Sequence, residues 1–428
     1  MSLRPDTINK RILFFALFFL SAGFCSFAQS MDNEFITAAI QGNLARVSQL
    51  LGEGANIEAR DGSDRQTALV FAANRGHLDI VRFLIENRAN INAQDDRGWT
   101  PLSEASYHGR VSVVEYLLSR NASTLFSTSW LNSRANGNAL FWCVQSAHNT
   151  LAEKIQIVAL LLRYNSEPEG RDENGRDTLR IAQDNNYREI ISMLNEFRER
   201  KERERQEYQL LSAIREQNET RVRELLGRRV NPNLQLDNGE SILNYAVSSQ
   251  NVTIVRLLLE AGANPSYKNV LGVTPLMTAA RLENISLLEL LIQRGANLND
   301  RDVSGRTVLF YAVENNNQTM IARLIQAGIS VNVTDIYGNN VLMYACAKEN
   351  ITAVNFLLNN RVNFNSKNME GDTPLLISAQ KNNYQMFMNL LDKGADQYIR
   401  NNSGYTALDY ARRNGNQQMI SVLEVFDE

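Results

Sequence analysis

The chain has 428 residues, of which 44% are hydrophobic and 21% are charged, a balance typical of folded rather than disordered chains. Its formal net charge of −3 at pH 7 argues against sequence-independent binding to nucleic acid, because that binding depends on basic charge. With only three cysteines, the sequence offers no disulfide framework.

The N-terminal segment, residues 1–28, has the order of a secretory signal peptide. Basic residues precede an apolar run over 12–20, and residues 26–28 place small side chains at the −3 and −1 positions of a cleavage site. Cleavage would leave Gln29 first and change the formal charge from −3 to −5. The alternatives are an uncleaved anchor, for which the apolar stretch is marginal in length, or lipidation at Cys25. We predict cleavage and export to the periplasm or the extracellular space.

The next segment, residues 29–197, is predicted to be a first array of repeated units. Its Thr-Ala-Leu at 67–69 and its Thr-Pro-Leu at 100–102 occupy the same position in two consecutive units. Apolar residues with helical spacing follow each motif.

The middle of this first array is longer than one period. The step from Leu102 to Leu140 and the step from Leu140 to Leu179 both exceed the step between positions 69 and 102. Extra residues in repeat proteins occur in loops on one face. The apolar side chains of the inserted segment 123–137 are Leu125, Phe126, Trp130 and Leu131. They form either a contact site or local packing, and the sequence leaves both open.

A charged segment, residues 198–206, separates the two arrays. It contains no Gly or Pro, and Glu199 is placed to pair with Arg203 at i,i+4. Because apolar helical patterns flank it on both sides, we predict an exposed helical linker. A rigid spacer is favoured over a hinge.

Glycine and leucine recur with a fixed 33-residue period in the second array, residues 207–428. The glycines are Gly239, Gly272, Gly305, Gly338, Gly371 and Gly404. The leucines are Leu243, Leu276, Leu309, Leu342, Leu375 and Leu408. A fixed period of this length is typical of one supersecondary unit that is stacked many times.

Each unit is predicted to contain two helices between turns. Gly272 marks a turn, since glycine accepts a positive φ without steric cost. Thr274 and Pro275 start the first helix, because proline suits the first helical turn. An apolar second helix, such as 254–259, ends at a glycine such as Gly262.

The pattern Thr-Pro-Leu-x-x-Ala-Ala at 274–280, with Gly-Ala-Asn at 262–264 and the 33-residue period, resembles the ankyrin repeat. The resemblance covers roughly residues 31–428. It implies an all-α repeat solenoid of stacked helix-turn-helix units with β-hairpin fingers, with about 11–12 repeats in two arrays. It also implies protein binding, because stacked repeats usually present a surface rather than a catalytic pocket.

No residue pattern points to catalysis. The three histidines, His77, His108 and His148, lack the spacing of metal ligands, and His77 fits a structural turn position of the repeat. Cys143 and Cys346 each occupy a small packed position of a first helix. We therefore predict no enzymatic activity, no metal and no cofactor.

Asparagine recurs in the turn between the two helices of each unit, and Ser or Thr follows it at the second position. These residues are Asn251, Asn284, Asn317 and Asn350. They form glycosylation sequons, but asparagine also starts helices by accepting backbone N–H bonds. We favour helix capping as their role.

A basic column is the first candidate binding feature, and it lies in the connections between repeats. Its members are Lys268, Arg301, Lys367 and Arg400, with Thr334 in the remaining position. In ankyrin-like folds this column lies near the finger tips on the partner-facing side. It predicts a partner with an acidic strip. The alternative is a solvated edge, partly neutralised by the Asn or Asp in the next position of each repeat.

Apolar and aromatic side chains at the predicted fingers are the second candidate feature. In the second array they are Val270, Leu271, Val273 and Tyr337. In the first array they are Trp99 on a finger, with Tyr107 and His108 at the end of a first helix. Exposed aromatic residues are frequent binding anchors, although any one of them could instead pack on the next repeat.

These features together predict an exported, monomeric, non-enzymatic scaffold of bacterial origin, with no membrane span after signal cleavage. Its concave and finger face would bind protein partners, and it would bind no nucleic acid. The alternative function is an accessory or protective, chaperone-like factor for an envelope enzyme. A small-molecule sensor or enzyme is a more distant third class.

Overall fold

The computed structural model describes residues 29–129 and 135–425. The predicted signal peptide and cleavage site, and Trp130 and Leu131 of the inserted segment, lie outside these residues. The chain divides into two compact units between Lys201 and Glu202, inside the charged segment 198–206.

The first unit consists of paired helices and one small sheet. Its helices are α1 (29–41), α2 (Leu44–Gly52), α3 (Ala68–Arg75), α4 (Leu78–Glu86), α5 (Pro101–Tyr107), α6 (Val111–Ser119), α7 (Ala139–Gln145), α8 (Leu151–Arg163), α9 (Thr178–Asp184) and the first part of α10 (Arg188–Arg215). Its strands are β1 (Thr128–Ser129), β2 (Asn136–Gly137) and β3 (Gly170–Arg171), antiparallel in the order β1-β2-β3.

The second unit begins within α10 and continues as helix pairs. Its helices are α11 (Glu219–Gly227), α12 (Ile242–Ser248), α13 (Val252–Glu260), α14 (Pro275–Arg281), α15 (Ile285–Gln293), α16 (Val308–Glu314), α17 (Gln318–Gln326), α18 (Val341–Ala347), α19 (Ile351–Leu358), α20 (Pro374–Gln380), α21 (Tyr384–Asp392), α22 (Ala407–Arg413) and α23 (Gln417–Val425). First helices pack on first helices, as α12, α14 and α16 do, and second helices pack on second helices, as α13 and α15 do.

The side chains that start these helices account for their regular boundaries. The hydroxyl of Thr274 accepts the backbone N–H of Met277, and Pro275 lies in the first turn of α14. The side chain of Asn284 accepts the backbone N–H of Leu287 at the start of α15. Asn251, Asn317 and Asn350 cap α13, α17 and α19 in the same way. The capping role predicted for these asparagines is confirmed.

Each unit has its own hydrophobic core. The first core extends from Phe35 to Phe197, and the second extends from Leu210 to Leu423. The periodic leucines Leu276, Leu309 and Leu342 are fully buried in the second core, as the repeat register predicts. The segment 198–206 is helical as predicted, within α10, and its role as a rigid spacer stays a prediction. No helix among the described residues is long and apolar enough to span a membrane.

The inserted segment of the first unit folds partly onto its own repeat. β2 pairs with β1 and β3, and Gly137 lies against the ring of Phe141. The indole Nε1 of Trp142 donates to the carbonyl oxygen of Gly137 at 2.9 Å. Leu125, in contrast, is exposed. Local packing therefore explains one end of the segment, and Leu125 remains a candidate contact residue.

Lys154 of α8 is buried, which was not predicted from the sequence. Its ammonium donates to the carbonyl oxygens of Cys143 at 2.9 Å, Val144 at 3.2 Å and Ser146. These carbonyls belong to the end of α7, where helices leave acceptors unsatisfied. Burial lowers the pKa of Lys154, and it raises the pKa of the neighbouring Cys143 thiol to about 12. Cys143 and Cys346 are both buried, which confirms them as packed residues.

Candidate protein-binding surface

The loops between repeats of the second unit form short fingers that turn at the periodic glycines. Gly272, Gly305, Gly338 and Gly371 have φ between +71° and +79°, a region that favours glycine. A Cβ atom on Gly305 would also lie 2.9 Å from the backbone nitrogen of Ile336 in the next finger. Glycine therefore serves both the turn and the close approach of neighbouring fingers.

An Asn or Asp side chain holds each finger in shape. The Oδ1 atom of Asp335 accepts the backbone N–H groups of Tyr337 and Asn339, each at 2.9 Å. Asp302 accepts equivalent bonds, and its Oδ2 pairs with the guanidinium of Arg306 at 3.1 Å. These side chains are occupied inside their own fingers. Arg306 pairs with the charge of Asp302, whereas the neutral donors on Asp335 leave its negative charge in place. Partial neutralisation of the basic column by this position therefore stays a prediction.

Backbone hydrogen bonds connect the tip of each finger to the next. Four N–H donors bond to the preceding finger: Val303 to the carbonyl of Leu271, Ile336 to Ser304, Met369 to Tyr337 and Asn402 to Glu370, at 2.9–3.0 Å. Because each bond joins consecutive repeats, the tips form one continuous ladder. The side chains on these tips are consequently held in a preformed row.

That row is apolar and exposed, and we call it the apolar ridge. Its members are Val270, Val303, Ile336 and Met369 at the same repeat position, with Leu271 and Tyr337 beside them. Each is between 49% and 75% exposed. A contiguous exposed apolar patch on a soluble fold is typical of an interaction surface. Val303 and Met369 were missed from the sequence, although the repeat period leads from Val270 to both.

The basic column lies beside this ridge, and its cations mostly bond to neutral oxygens. The guanidinium of Arg301 donates to the carbonyl oxygen of Thr334 at 2.8 Å, and the ammonium of Lys367 donates to that of Arg400 at 3.2 Å. A carbonyl orients a cation without cancelling its charge. The two ends of the column have carboxylates nearby: Lys268 is 3.0 Å from Asp300, and Arg400 is 3.8 Å from Asp409.

Two of the sequence-predicted apolar contacts are not exposed anchors. Trp99 is only 2% exposed, because its ring packs against Trp142 at 5.2 Å and against Tyr107 at 5.4 Å between ring centroids. The prediction of Trp99 as an exposed finger anchor is wrong, and the alternative that it packs on the next repeat holds. Val273 is half-buried against the second core rather than on the finger tip.

Tyr107 and His108 remain accessible at the end of α5. Both are half-buried, and the rings of Tyr107 and His108 lie 5.3 Å and 5.2 Å from that of the exposed His148. The Nε2 atom of His108 is 3.5 Å from a carboxylate oxygen of the buried Glu104. Burial and the Glu104 charge raise the pKa of Tyr107. Over the described ranges, no three His, Cys, Asp or Glu side chains are arranged to hold a metal ion.

The periodic fingers and paired helices agree with a match to known sequences. A family model described as "Ankyrin repeats (3 copies)" matches residues 35–126, 210–302, 286–368 and 342–424. The chain belongs to the ankyrin-repeat family. This confirms the predicted solenoid fold, and ankyrin repeats are in general protein–protein interaction modules.

Similar proteins share the repeats over short stretches. Ankyrin repeat and SAM domain-containing protein 6 of Mus musculus is 30% identical over 131 residues, which are 30% of this chain and 14% of that protein. The 26S proteasome non-ATPase regulatory subunit 10 of Dictyostelium discoideum is 34% identical over 79 residues, 18% of this chain and 34% of that protein. The solved ankyrin repeat domain of Bcl-3 is 24% identical and has a TM-score of 0.48, covering 50% of this chain and 97% of that one.

Proposed function

We propose that this ankyrin-repeat protein is an exported, non-enzymatic scaffold that binds a partner protein through the finger and concave face of its second array. The apolar ridge beside the basic column is the observation that carries this proposal. Export is proposed from the signal-peptide order of residues 1–28 alone. Native protein isolated from an exported fraction should begin at Gln29, which N-terminal sequencing checks.

The arrangement of the ridge and the column suggests the chemistry of the partner. Exposed apolar side chains favour an apolar contact that excludes water. The cations beside them favour an acidic strip along that contact and attract it over a long range. Because the ladder of backbone bonds holds the finger tips in place, little ordering entropy is lost on association.

Charge reversal along the column tests this proposal. The variant Lys268→Glu, Arg301→Glu, Lys367→Glu and Arg400→Glu should slow association with a partner captured by the native protein by about tenfold or more. The wild-type association rate should also fall as salt rises. Because all four side chains are exposed, the melting temperature should change little.

A second quadruple variant supplies the control, since it changes net charge by the same amount elsewhere on the second unit. It reverses the exposed Arg223, Arg256, Arg323 and Lys393, which lie on or next to second helices. Equal association rates for the two variants would contradict the proposed role of the column. The apolar residues Val270, Leu271 and Tyr337 would then be the leading contact candidates.

A further inference from the structure

A pocket opens beside the apolar ridge, between two fingers and the first helices behind them. Its volume is about 240 Å³, below the roughly 300–1,000 Å³ typical of pockets for drug-sized ligands. Tyr337 and Met369 of the ridge form one side, and Ile377 and Gln380 of α20 lie on another. The pocket therefore has the size for one long side chain, and it is continuous with the proposed binding surface.

The buried acidic group of this pocket, Asp372, differs from the other buried carboxylates of the described residues. Five carboxylates are buried among the described residues: Asp95, Glu104, Asp172, Asp302 and Asp372. The first four each form an ion pair with an arginine. Asp372, which is only 5% exposed, is the one of the five without a basic nitrogen within 4.0 Å.

Neutral amides alone bond to the Asp372 carboxylate. Its Oδ1 accepts from the side chain of Asn401 at 2.8 Å, and its Oδ2 accepts from that of Gln380 at 3.0 Å. A carboxylate offers about four lone-pair directions, so each oxygen keeps acceptor capacity. A buried charge without an opposite charge is costly, and a cation that enters the pocket would offset that cost.

The chain contains a buried carboxylate paired with a guanidinium beside an aromatic ring two repeats earlier. There the guanidinium of Arg306 bonds to the buried Asp302 at 3.1 Å and lies 5.0 Å from the ring centre of Tyr311. Asp372 occupies the repeat position of Arg306, so here a carboxylate replaces the arginine. Asn368 and Ile377 take the positions of Asp302 and Tyr311, so the earlier pair shows the same chemistry in a different arrangement. The pocket supplies the carboxylate and the exposed ring of Tyr337, but not the guanidinium.

We propose that this pocket binds an arginine side chain of the partner protein, with the guanidinium on Asp372 and the aliphatic stem against Met369 and Tyr337. Arginine suits both tasks, because its guanidinium bonds to two carboxylate oxygens at once and its aliphatic stem packs on apolar surface. The exposed Glu370 adds a second negative charge at the rim. Lys381 also lines the pocket and opposes the incoming cation. The inference rests on the proposed protein-binding function and adds one basic residue to the partner's contact.

A small probe tests the pocket without the partner. The protein is labelled with ¹³C at its methionine methyl groups and titrated with N-acetyl-arginine methylamide, and the Met369 signal is assigned with Met369→Leu. The neutral counterpart with citrulline in place of arginine is the matched ligand. The arginine probe should shift the Met369 signal and bind about tenfold more tightly than the citrulline probe, because a charged hydrogen bond is lost with citrulline.

Variants that remove either the negative or the positive charge of the pocket make the test more specific. Asp372→Asn should weaken binding of the arginine probe about tenfold, whereas Lys381→Ala should tighten it because a like charge is removed. Asp392→Asn, on α21 and not among the pocket residues, should leave it unchanged. If Asp372→Asn distorts the pocket, the Lys381→Ala result and the citrulline comparison still decide.

Three results would overturn the inference: equal binding of the two probes, no shift of Met369 with the arginine probe, or no gain in Lys381→Ala. Because the partner is absent from this experiment, such a failure leaves the proposed scaffold function standing. Conversely, if reversing the charges of the basic column did not slow association with the partner, the result for the pocket would still stand.

Discussion

At the scale of single residues, the fingers depend on glycine for two separable reasons. One is the backbone conformation, since all the finger glycines have positive φ. The other is space, since a Cβ atom on Gly305 would meet the next finger, whereas a Cβ atom on Gly404 would have nothing within 4 Å. The two sites therefore separate the cost of conformation from the cost of crowding.

We expect Gly404→Ala to lower the free energy of unfolding by about 1–2 kcal/mol, the cost of a left-handed conformation for an L-residue. Gly305→Ala should cost about 1–3 kcal/mol more, because its methyl group also crowds Ile336. Urea unfolding monitored by circular dichroism measures both. Gly227→Ala is the control, because Gly227 lies in α11 without positive φ or near neighbours and should be neutral or slightly stabilised. Equal losses at Gly305 and Gly404 would show that the fingers separate easily.

The residue identities that repeat along the chain were predictable, and those that occur once were not. The glycine and leucine registers follow from the period, and the structure places each in the turn or core that the period indicates. Lys154 and Asp372 stand outside these registers, and the repeat position of Asp372 varies from copy to copy. Whether a charged side chain is buried depends on residues that are distant in the sequence, and the repeat pattern gives no information about those contacts. The same reason explains Trp99, whose packing partner Trp142 lies in the irregular repeat.

At the scale of elements, the asparagine before each second helix performs two tasks. The Oδ1 atom of Asn284 accepts the backbone N–H of Leu287 at 3.0 Å, and its Nδ2 donates to the side chain of Gln250 in the preceding repeat at 3.2 Å. Asn251 makes the same two kinds of bond, to Ile254 and to Gln217. One side chain thus starts a helix and joins it to its neighbour.

Asn284→Ala should lower the free energy of unfolding by about 1 kcal/mol, within the usual range of about 0.5–2 kcal/mol for a lost helix cap. Asn284→Asp keeps the oxygen acceptor and places a negative charge at the helix start, so it should recover most of that loss. Thermal or urea unfolding of the three proteins gives the comparison. If the alanine and aspartate variants are equally destabilised, the bond to Gln250 rather than the cap is the important one.

Regular elements could be predicted from the sequence, while the β1-β2-β3 sheet could not. In the second unit asparagine caps the second helices from α13 to α21, and a glycine follows most of them. Because several copies agree, the pattern is clear even where the signal of one copy is weak. The sheet occurs once, in steps longer than the period, and its strands are very short. Strands this short carry no alternation that a pattern could reveal.

At the scale of the whole molecule, the boundary between the two units lies in a stretch of α10 that contributes no side chain to either hydrophobic core. α10 contributes Leu194 and Phe197 to the first core and Leu210 and Ile214 to the second. The residues between Phe197 and Leu210 are exposed or only partly buried. In repeat proteins, stability is approximately a sum over repeats and their nearest-neighbour contacts. A cut at this place leaves the buried side chains of each core together on one side of it.

We therefore expect the fragments 29–201 and 202–428 to fold separately. Their helical circular dichroism should add up to that of the chain from residue 29. Each fragment should unfold cooperatively in urea, with denaturant dependences that scale with the surface that each unfolding exposes. A cut after Ser330, inside the second core, is the control: it separates α17 from α19, so the core surface between two repeats is exposed and both pieces should be less stable. An unfolded or aggregated 202–428 fragment would mean that the second array needs the first in order to fold.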